Sequence, residues 1–165
     1  MKSASFDQTL CPVARTLERV GDAWSLMILR DAVHGLTRFD QFRKSLGVAP
    51  NILTDRLAKL VQVGILERRR YSERPPRDEY VLTPMGQDFR PVLLAIMAFG
   101  NRQFAKEGVA SELVDVQTGA SACPVLVDAN TGRELGPTGY RFAPGPAADE
   151  VVRARMAFAN GRRAS

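Results

Sequence analysis

The sequence is poor in the residues on which most hydrolases and metal centres depend. Its 165 residues include one histidine, His34, and two cysteines, Cys11 and Cys123. A single histidine argues against a histidine-based metal centre and against Ser-His-Asp catalysis. Two cysteines far apart in the chain are too few for a disulfide framework. The sequence has no phosphate-binding loop and no pair of carboxylates at a spacing typical of catalysis, so we predict no enzyme and no cofactor. A thiol enzyme that used Cys11 would lack a general base.

Long apolar runs are also missing. No stretch approaches the roughly 20 apolar residues that span a bilayer, and the N-terminal sequence lacks the apolar core of a secretory signal. We therefore expect a cytoplasmic protein without a membrane partner. The formal net charge of +5 and the sequence pI of about 9.7 are compatible with nucleic acid. The length allows one domain and an appendage.

Residues 49–82 carry the most informative pattern. Pro50 suits a first helical position, and Leu53, Leu57 and Leu60 recur on one face of the predicted helix. Gly64 then predicts the helix end. By itself, this pattern would equally describe an ordinary surface helix.

A basic hairpin follows this helix. An apolar strand start at Ile65 leads into Arg68, Arg69, Arg70, Arg74 and Arg77, and the chain returns at Val81 after Pro75-Pro76. Clustered arginines favour an anionic partner, although nearby acidic residues leave open a merely solvated charge run. A helix followed by a basic hairpin is typical of a winged helix that places the helix in a major groove.

The preceding residues predict the rest of a helix-turn-helix unit. Pro12 begins a first helix, and Asp22 caps a second, apolar one in which Trp24 is interpreted as a core anchor. Thr37 is predicted to cap a third helix, with Asp40 at N3. Gly47 makes the tight turn into the helix at Pro50.

A long helix is predicted from Thr83-Pro84 to about Lys106. Its apolar surface should pair with a second copy, giving a homodimer. We expect a domain over residues 1–107 and a small β-rich extension over residues 108–165 that ends in a helix. The fold class is mainly α with small β (α+β). No internal repeat is evident, and the extension is expected to hold strands and a helix at Leu113–Val116, Val125–Val127, Tyr140–Phe142 and Asp149–Asn160.

From Cys11 to about Phe104 the chain resembles the HxlR family of bacterial winged-helix regulators, relatives of the MarR repressors. The matches include Gly21-Asp22-Ala23-Trp24, Arg38-Phe39-Asp40-Gln41-Phe42, Asn51-Ile52-Leu53-Thr54-Asp55-Arg56-Leu57 and Gly64-Ile65-Leu66-Glu67-Arg68. The resemblance implies a dimeric regulator on a palindromic operator in double-stranded DNA, often beside an oxidative or electrophile-response gene. It also implies that residues 51–56 enter the groove.

The resemblance has two departures. Ala49 stands where relatives commonly have serine, a better helix cap. The extension resembles a tail that in some longer relatives carries several cysteines, but here only Cys123 remains, so no zinc site is predicted.

The predicted DNA contacts come from three elements. Asn51 and Thr54 suit base edges or phosphate, and Arg56 could read guanine or bind phosphate. The helix cations Arg38, Arg43, Lys44 and Lys59 are expected on the DNA backbone. The wing residues Arg70, Arg74 and Arg77 are expected on phosphate or in the minor groove. The full set is Arg38, Arg43, Lys44, Asn51, Thr54, Asp55, Arg56, Lys59, Arg70, Arg74 and Arg77.

Two residues are candidates for sensing an effector. Cys11 precedes a helix whose dipole would lower the pKa of a thiol there, with Arg15 one turn on. The resemblance implies a thiol sensor, whereas the plainer interpretation is a small buried residue beside the dimer seam. A Cys11–Cys11′ bond, a mixed disulfide and alkylation all stay open. An apolar ligand bound around Trp24, Met27 and Phe99 is the alternative switch.

Overall fold

The computed structural model describes residues 9–161, which divide into two compact units between Leu93 and Leu94. The predicted boundary at residue 108 stays a prediction. None of the helices within the described range is long and apolar enough to cross a bilayer. The helices are α1 (Pro12–Val20), α2 (Ala23–Val33), α3 (Phe39–Leu46), α4 (Pro50–Gln62), α5 (Pro84–Asp88), α6 (Arg90–Phe104) and α7 (Glu150–Gly161), and the strands are β1 (Leu66–Glu73), β2 (Pro76–Leu82), β3 (Leu113–Val114) and β4 (Ser121–Ala122).

The predicted starts of the first two helices are confirmed. Pro12 is the first residue of α1, where its missing N–H costs nothing, and Cys11 is the N-cap. Asp22 caps α2 by accepting hydrogen bonds from the backbone N–H of Ser25 at 3.0 Å and from its hydroxyl at 2.6 Å. These contacts satisfy donors that a helix start leaves free.

The core of the first unit forms where α2, α3 and α4 meet. Ile28 of α2, Phe42 of α3, and Leu53, Leu57 and Leu60 of α4 are fully buried, as their periodicity predicts. Each such side chain contributes about 1.5–3 kcal/mol by leaving water. Burial of one face of α4 therefore fixes which of its residues face outward.

Two predictions about α2 and α3 are wrong. Trp24 is 40% exposed in the single chain, so it is no core anchor. The N-cap of α3 is Arg38 rather than Thr37, and Gln41 rather than Asp40 stands at N3. The Gln41 side chain accepts from the N–H groups of Thr37 (3.0 Å) and Arg38 (2.9 Å). The cap shifts by one residue because the Thr37 carbonyl is already taken by the N–H of Tyr80 at 2.7 Å.

The hairpin after α4 is confirmed as a wing. β1 and β2 pair antiparallel from Leu66↔Leu82 to Glu73↔Pro76, and Arg38 forms a bridge with Glu79 on the outer edge of β2. Gly64, at φ +77°, makes the turn between α4 and this hairpin, a conformation that L side chains rarely adopt. The wing is therefore joined at its base to both helices of the helix-turn-helix.

The predicted single long helix after the wing is wrong, because α5 ends at Asp88 and α6 begins at Arg90. Thr83 does cap the start, accepting from the N–H of Gly86 at 3.1 Å. Pro91 explains the break, since it has no N–H to donate to the carbonyl four residues earlier. The N–H of Phe89 instead reaches the Gly86 carbonyl in a tighter turn.

The segment after α6 has less strand than the sequence predicts. Residues 113–114 pair with residues 121–122, Val127 makes one isolated bridge with Glu134, and residues 140–142 lie in no strand. The terminal helix is confirmed as α7. Apolar residues of this segment, such as Val116 at 96% exposure, are therefore not buried in a sheet within the described residues.

This segment also contains a repeat that the sequence analysis missed. At two Asp-x-x-Thr-Gly sequences the aspartate carboxylate accepts from the backbone N–H two residues on and from the threonine hydroxyl, and its carbonyl accepts from the glycine N–H. The two turns span residues 115–119 and 128–132. Hydrogen bonds also lower the pKa of both aspartates. The largest contribution comes from the Thr118 N–H at Asp115 and from the Asn130 N–H at Asp128.

Candidate nucleic-acid interface

The outward face of α4 begins with a polar tip. Asn51, Thr54 and Asp55 are exposed, with Asn51 and Asp55 opposite the buried leucines and Thr54 to one side, and in the described residues none of them forms an ion pair. The Thr54 hydroxyl donates to the Pro50 carbonyl at 2.9 Å, so its oxygen can still accept a bond. The tip can therefore present an amide, a hydroxyl and a carboxylate to base edges.

Arg56 lies on a flank of α4 rather than at this tip. Successive residues of a helix turn by about 100°, which places Arg56 beside the buried face. Its Nε donates to Oδ1 of Asp22 at 2.9 Å, and both side chains are about one-third exposed. Burial raises the pKa of Asp22, but the bonds from Ser25 and the charge of Arg56 outweigh it, so that the pKa is lowered. Part of this guanidinium is thus used to join α4 to the start of α2.

The other predicted cations of the helices differ in exposure. Arg43 and Lys44 are exposed in the last turn of α3 and form no ion pair within residues 9–161. Lys59 is half-buried and lines a surface cleft of about 380 Å³ that it shares with Glu18 and Arg19 of α1. Two of these three cations are therefore exposed to solvent.

The base of the wing holds arginines that are already paired. Asp78 accepts from Arg68 Nε at 2.8 Å and from Arg70 Nε at 2.6 Å, and it also contacts Arg68 Nη2. These bonds, the one from Arg68 first, lower the pKa of Asp78. Arg69 donates to Glu67 at 2.9 Å, and this bond lowers the pKa of Glu67. One carboxylate thus engages two guanidinium groups across the hairpin.

The tip of the wing is different. Arg74 and Arg77 are exposed on either side of the hairpin turn. In the part of the chain that the structure describes, neither guanidinium makes a hydrogen bond or an ion pair. Of the three predicted wing contacts, Arg70 is bound within the hairpin, while Arg74 and Arg77 are available to an anion.

Tyr71 was missed by the sequence analysis. The guanidinium carbon of Arg38 lies 4.6 Å from the centroid of its ring. Tyr71 falls at an irregularity in the pairing of β1, between Arg70↔Asp78 and Ser72↔Arg77. An aromatic residue inside an arginine run was the available signal, but nothing in the sequence showed that the Arg38 side chain reaches it.

The two candidate sensor residues lie at the start of α1 and in the first turn of α2. Cys11 is half-buried, and its backbone N–H donates to the Thr9 hydroxyl at 3.2 Å, while Arg15 Nε donates to the Thr9 carbonyl at 2.6 Å. Trp24 is exposed near Met27, which is 36% exposed one turn along α2. Between residues 9 and 161, no three His, Cys, Asp or Glu side chains are grouped so as to hold a metal ion.

Comparisons with known proteins agree with this geometry. Residues 19–108 match the family described as HxlR-like helix-turn-helix. The chain is 37% identical over 135 residues to the uncharacterized HTH-type transcriptional regulator Mb3122 of Mycobacterium bovis, a match that covers 81% of this chain and 85% of Mb3122.

Solved structures extend the likeness. That of PA1607, a candidate transcription factor, has a TM-score of 0.77 and 38% identity, covering 86% of this chain and 100% of PA1607. The reduced form of the redox regulator HypR has a TM-score of 0.54 and 31% identity, covering 59% of this chain and 99% of HypR. The match to PA1607 covers more of this chain than residues 1–108 contain, so it includes part of the C-terminal extension.

Proposed function

Because this chain belongs to the HxlR-like helix-turn-helix family and is a DNA-binding transcriptional regulator of that type, we propose that it acts as a homodimeric repressor. In this proposal α4 enters the major groove of each half of a palindromic operator, and the wing tip lies along the backbone. The observation that carries it is the polar tip of α4, which is exposed while the opposite face is fully buried.

The contact made by Asn51 is tested by substitution. An asparagine side chain can bond an adenine edge in two places, a contact worth about 1–3 kcal/mol of discrimination. Asn51→Ala should therefore weaken binding to an operator selected from random duplexes roughly 5- to 150-fold, while binding to unrelated DNA stays unchanged. Affinity is measured by fluorescence anisotropy at fixed salt.

Gln62→Ala is the matched control, because Gln62 is also exposed on α4 but lies at its other end. It should bind the operator as the wild type does. An equal loss on operator and unrelated DNA for Asn51→Ala would contradict the base contact.

The dimer is supported by apolar side chains that face solvent in the single chain. Val13 and Leu17 of α1 are 64% and 53% exposed, and Val92 at the start of α6 is 45% exposed. Exposed apolar surface of this kind usually marks an interaction site. We expect sedimentation equilibrium to give a dimer at micromolar concentration and Leu17→Arg to give a monomer. A monomeric wild-type chain would contradict this part of the proposal.

The signal we propose acts on Cys11, and two facts support it. The thiol belongs to the N-cap residue of a nine-residue helix, a kind of position at which reactive cysteines occur, and HypR, a protein of similar structure, is a redox regulator. A thiol-reactive oxidant or quinone should abolish operator binding by the wild type and by Cys123→Ser, whereas Cys11→Ser should keep its binding. Equal sensitivity of Cys11→Ser would remove the thiol signal.

A non-covalent apolar ligand is the second candidate signal, favoured by the exposure of Trp24 and Met27. Trp24 is the single tryptophan of the chain, so its fluorescence reports directly on binding nearby. Saturable quenching by an aromatic ligand that also releases the operator from Cys11→Ser would support this alternative. Release that needs Cys11 would contradict it.

A further inference from the structure

We propose that Tyr71 is a positioning residue that holds the guanidinium of Arg38 ready for a DNA backbone phosphate, an inference that rests on the proposed function. The guanidinium carbon of Arg38 lies 4.6 Å from the centre of the Tyr71 ring, well within the range of a cation–π contact. This pair links the wing to the start of α3. No other cation of the predicted DNA-binding set is held in this way in the described residues.

The backbone explains how the two side chains meet. Arg38 bridges Glu79 on the outer edge of β2, and Glu79 pairs with Arg69 of β1. Residues opposite each other in a sheet point to the same face, and residues two apart along a strand do so as well. Tyr71, two residues beyond Arg69, therefore belongs to the same face as Arg38. The two side chains therefore meet on that face of the hairpin.

The pairing irregularity places the ring where it can receive this side chain. Between Arg70↔Asp78 and Ser72↔Arg77, β1 advances two residues while β2 advances one, so Tyr71 has no partner of its own. A bulge of this kind re-aims a side chain and often lies beside a functional site. Tyr71 is 37% exposed, so its ring is open to a cation from outside β1.

The side-chain donors of Arg38 are unused, and this separates it from the paired arginines. A guanidinium has five N–H donors and can contact an aromatic ring without hydrogen-bonding through them. In residues 9–161 the Arg38 side chain makes no hydrogen bond or ion pair, whereas Arg68 and Arg70 direct theirs at Asp78. Arg38 is thus both oriented and able to bind phosphate through two donors.

The Arg38 backbone is fixed at the same point. Its N–H donates to Gln41 Oε1 at 2.9 Å as the N-cap of α3, and the preceding Thr37 carbonyl accepts from Tyr80 of β2. Because the residue belongs to both α3 and the wing sheet, its backbone is held relative to each, and the Tyr71 ring then positions the guanidinium. A phosphate bound by Arg38 would therefore depend on the positions of both the helix-turn-helix and the wing.

A double-mutant cycle tests the pair. Tyr71→Leu keeps an apolar side chain but removes the ring, and it should weaken operator binding about two- to fivefold, which corresponds to roughly 0.5–1 kcal/mol for an exposed cation–π contact. Tyr71→Phe keeps the ring and should bind as the wild type does. In the Arg38→Ala background, Tyr71→Leu should have no further effect, because the cation it positions is gone.

Tyr140→Leu is the matched control, since Tyr140 also lies beside an arginine, Arg133 at 5.3 Å, but in the C-terminal extension. It should leave operator affinity unchanged. The inference is overturned if Tyr71→Leu binds like the wild type, if Tyr71→Phe loses as much as Tyr71→Leu, or if Tyr71→Leu loses as much without Arg38. Absence of operator binding by the wild-type chain would instead overturn the proposed function, and this inference with it.

Discussion

The base and the tip of the wing carry the same kind of side chain in opposite electrostatic states. At the base, Arg68 and Arg70 share the carboxylate of Asp78, and Arg69 is paired with Glu67. At the tip, Arg74 and Arg77 form no ion pair in the described part of the chain. A count of arginines along the hairpin therefore overstates the charge that it offers to DNA.

This difference shows that the hairpin uses some of its charges for its own stability and leaves others free for DNA. Cross-strand pairs between opposite charges stabilise a two-stranded ribbon, which is marginal by itself. Arg74 lies in the turn and Arg77 is paired with the uncharged Ser72, so neither faces an opposite charge across the hairpin and both stay available to a partner. We infer that the base pairs keep the wing in shape and that the tip supplies its contacts with phosphate.

Removing the tip charges should give the largest effect. Arg74→Ala/Arg77→Ala should lower affinity for operator and unrelated DNA alike, by roughly tenfold per contact near 0.1 M salt, and reduce the slope of log K against log salt by about two units. The measurement is a salt titration of anisotropy. Arg153→Ala/Arg155→Ala in α7 removes the same total charge and is the control. An equal loss for this control would mean that net charge alone matters.

Breaking the ion pairs at the base of the wing should change DNA affinity less, and in the opposite direction. Asp78→Asn removes the negative charge that Arg68 and Arg70 share, so Arg68 becomes free and Arg70 keeps only its longer ion pair with Glu73 at 3.8 Å. We expect binding to unrelated DNA to tighten about three- to tenfold and the salt slope to steepen by up to about two units. Unchanged affinity would show that the base of the wing lies away from the duplex.

The smallest predicted effect is on the titration of Asp78, at the base of the wing. Bonds from Arg68 and Arg70 lower the pKa of Asp78, so the stability they add is fully present above the unfolded pKa of about 3.9. It is lost only as pH falls through the lower folded value. The midpoint of the Asp78 carboxyl titration followed by NMR should lie below this ordinary pKa and rise in Arg68→Ala/Arg70→Ala. A wild-type midpoint at the ordinary value would contradict the pairing.

The sequence was sufficient for the elements of the first unit. Periodic leucines, Pro50, Gly64 and the cap at Asp22 act over one helical turn or less, and each predicted element is present. One error arose where a distant segment decides the outcome, since the α3 cap moved because β2 bonds the Thr37 carbonyl. Trp24 is exposed although its helix is apolar. The break after α5 was local, because Pro91 has no N–H to donate to the carbonyl four residues earlier.

The candidate site was predicted in composition but not in pairing. The sequence identified the cations of α3, α4 and the wing, yet it did not show that Arg56 reaches Asp22, 34 residues away. Nor did it reveal the irregularity that brings Tyr71 to Arg38, because a bulge depends on strand register. In the extension, the two Asp-x-x-Thr-Gly turns were visible as a repeat but were overlooked.

The most direct test of the central claim is selection of bound duplexes from a random library by the full chain, followed by sequencing. A two-fold dimer that presents α4 twice predicts an enriched palindrome with half-sites about one helical turn apart, roughly 34–36 Å between centres. Enrichment of a single asymmetric site, or of no sequence at all, would contradict the account.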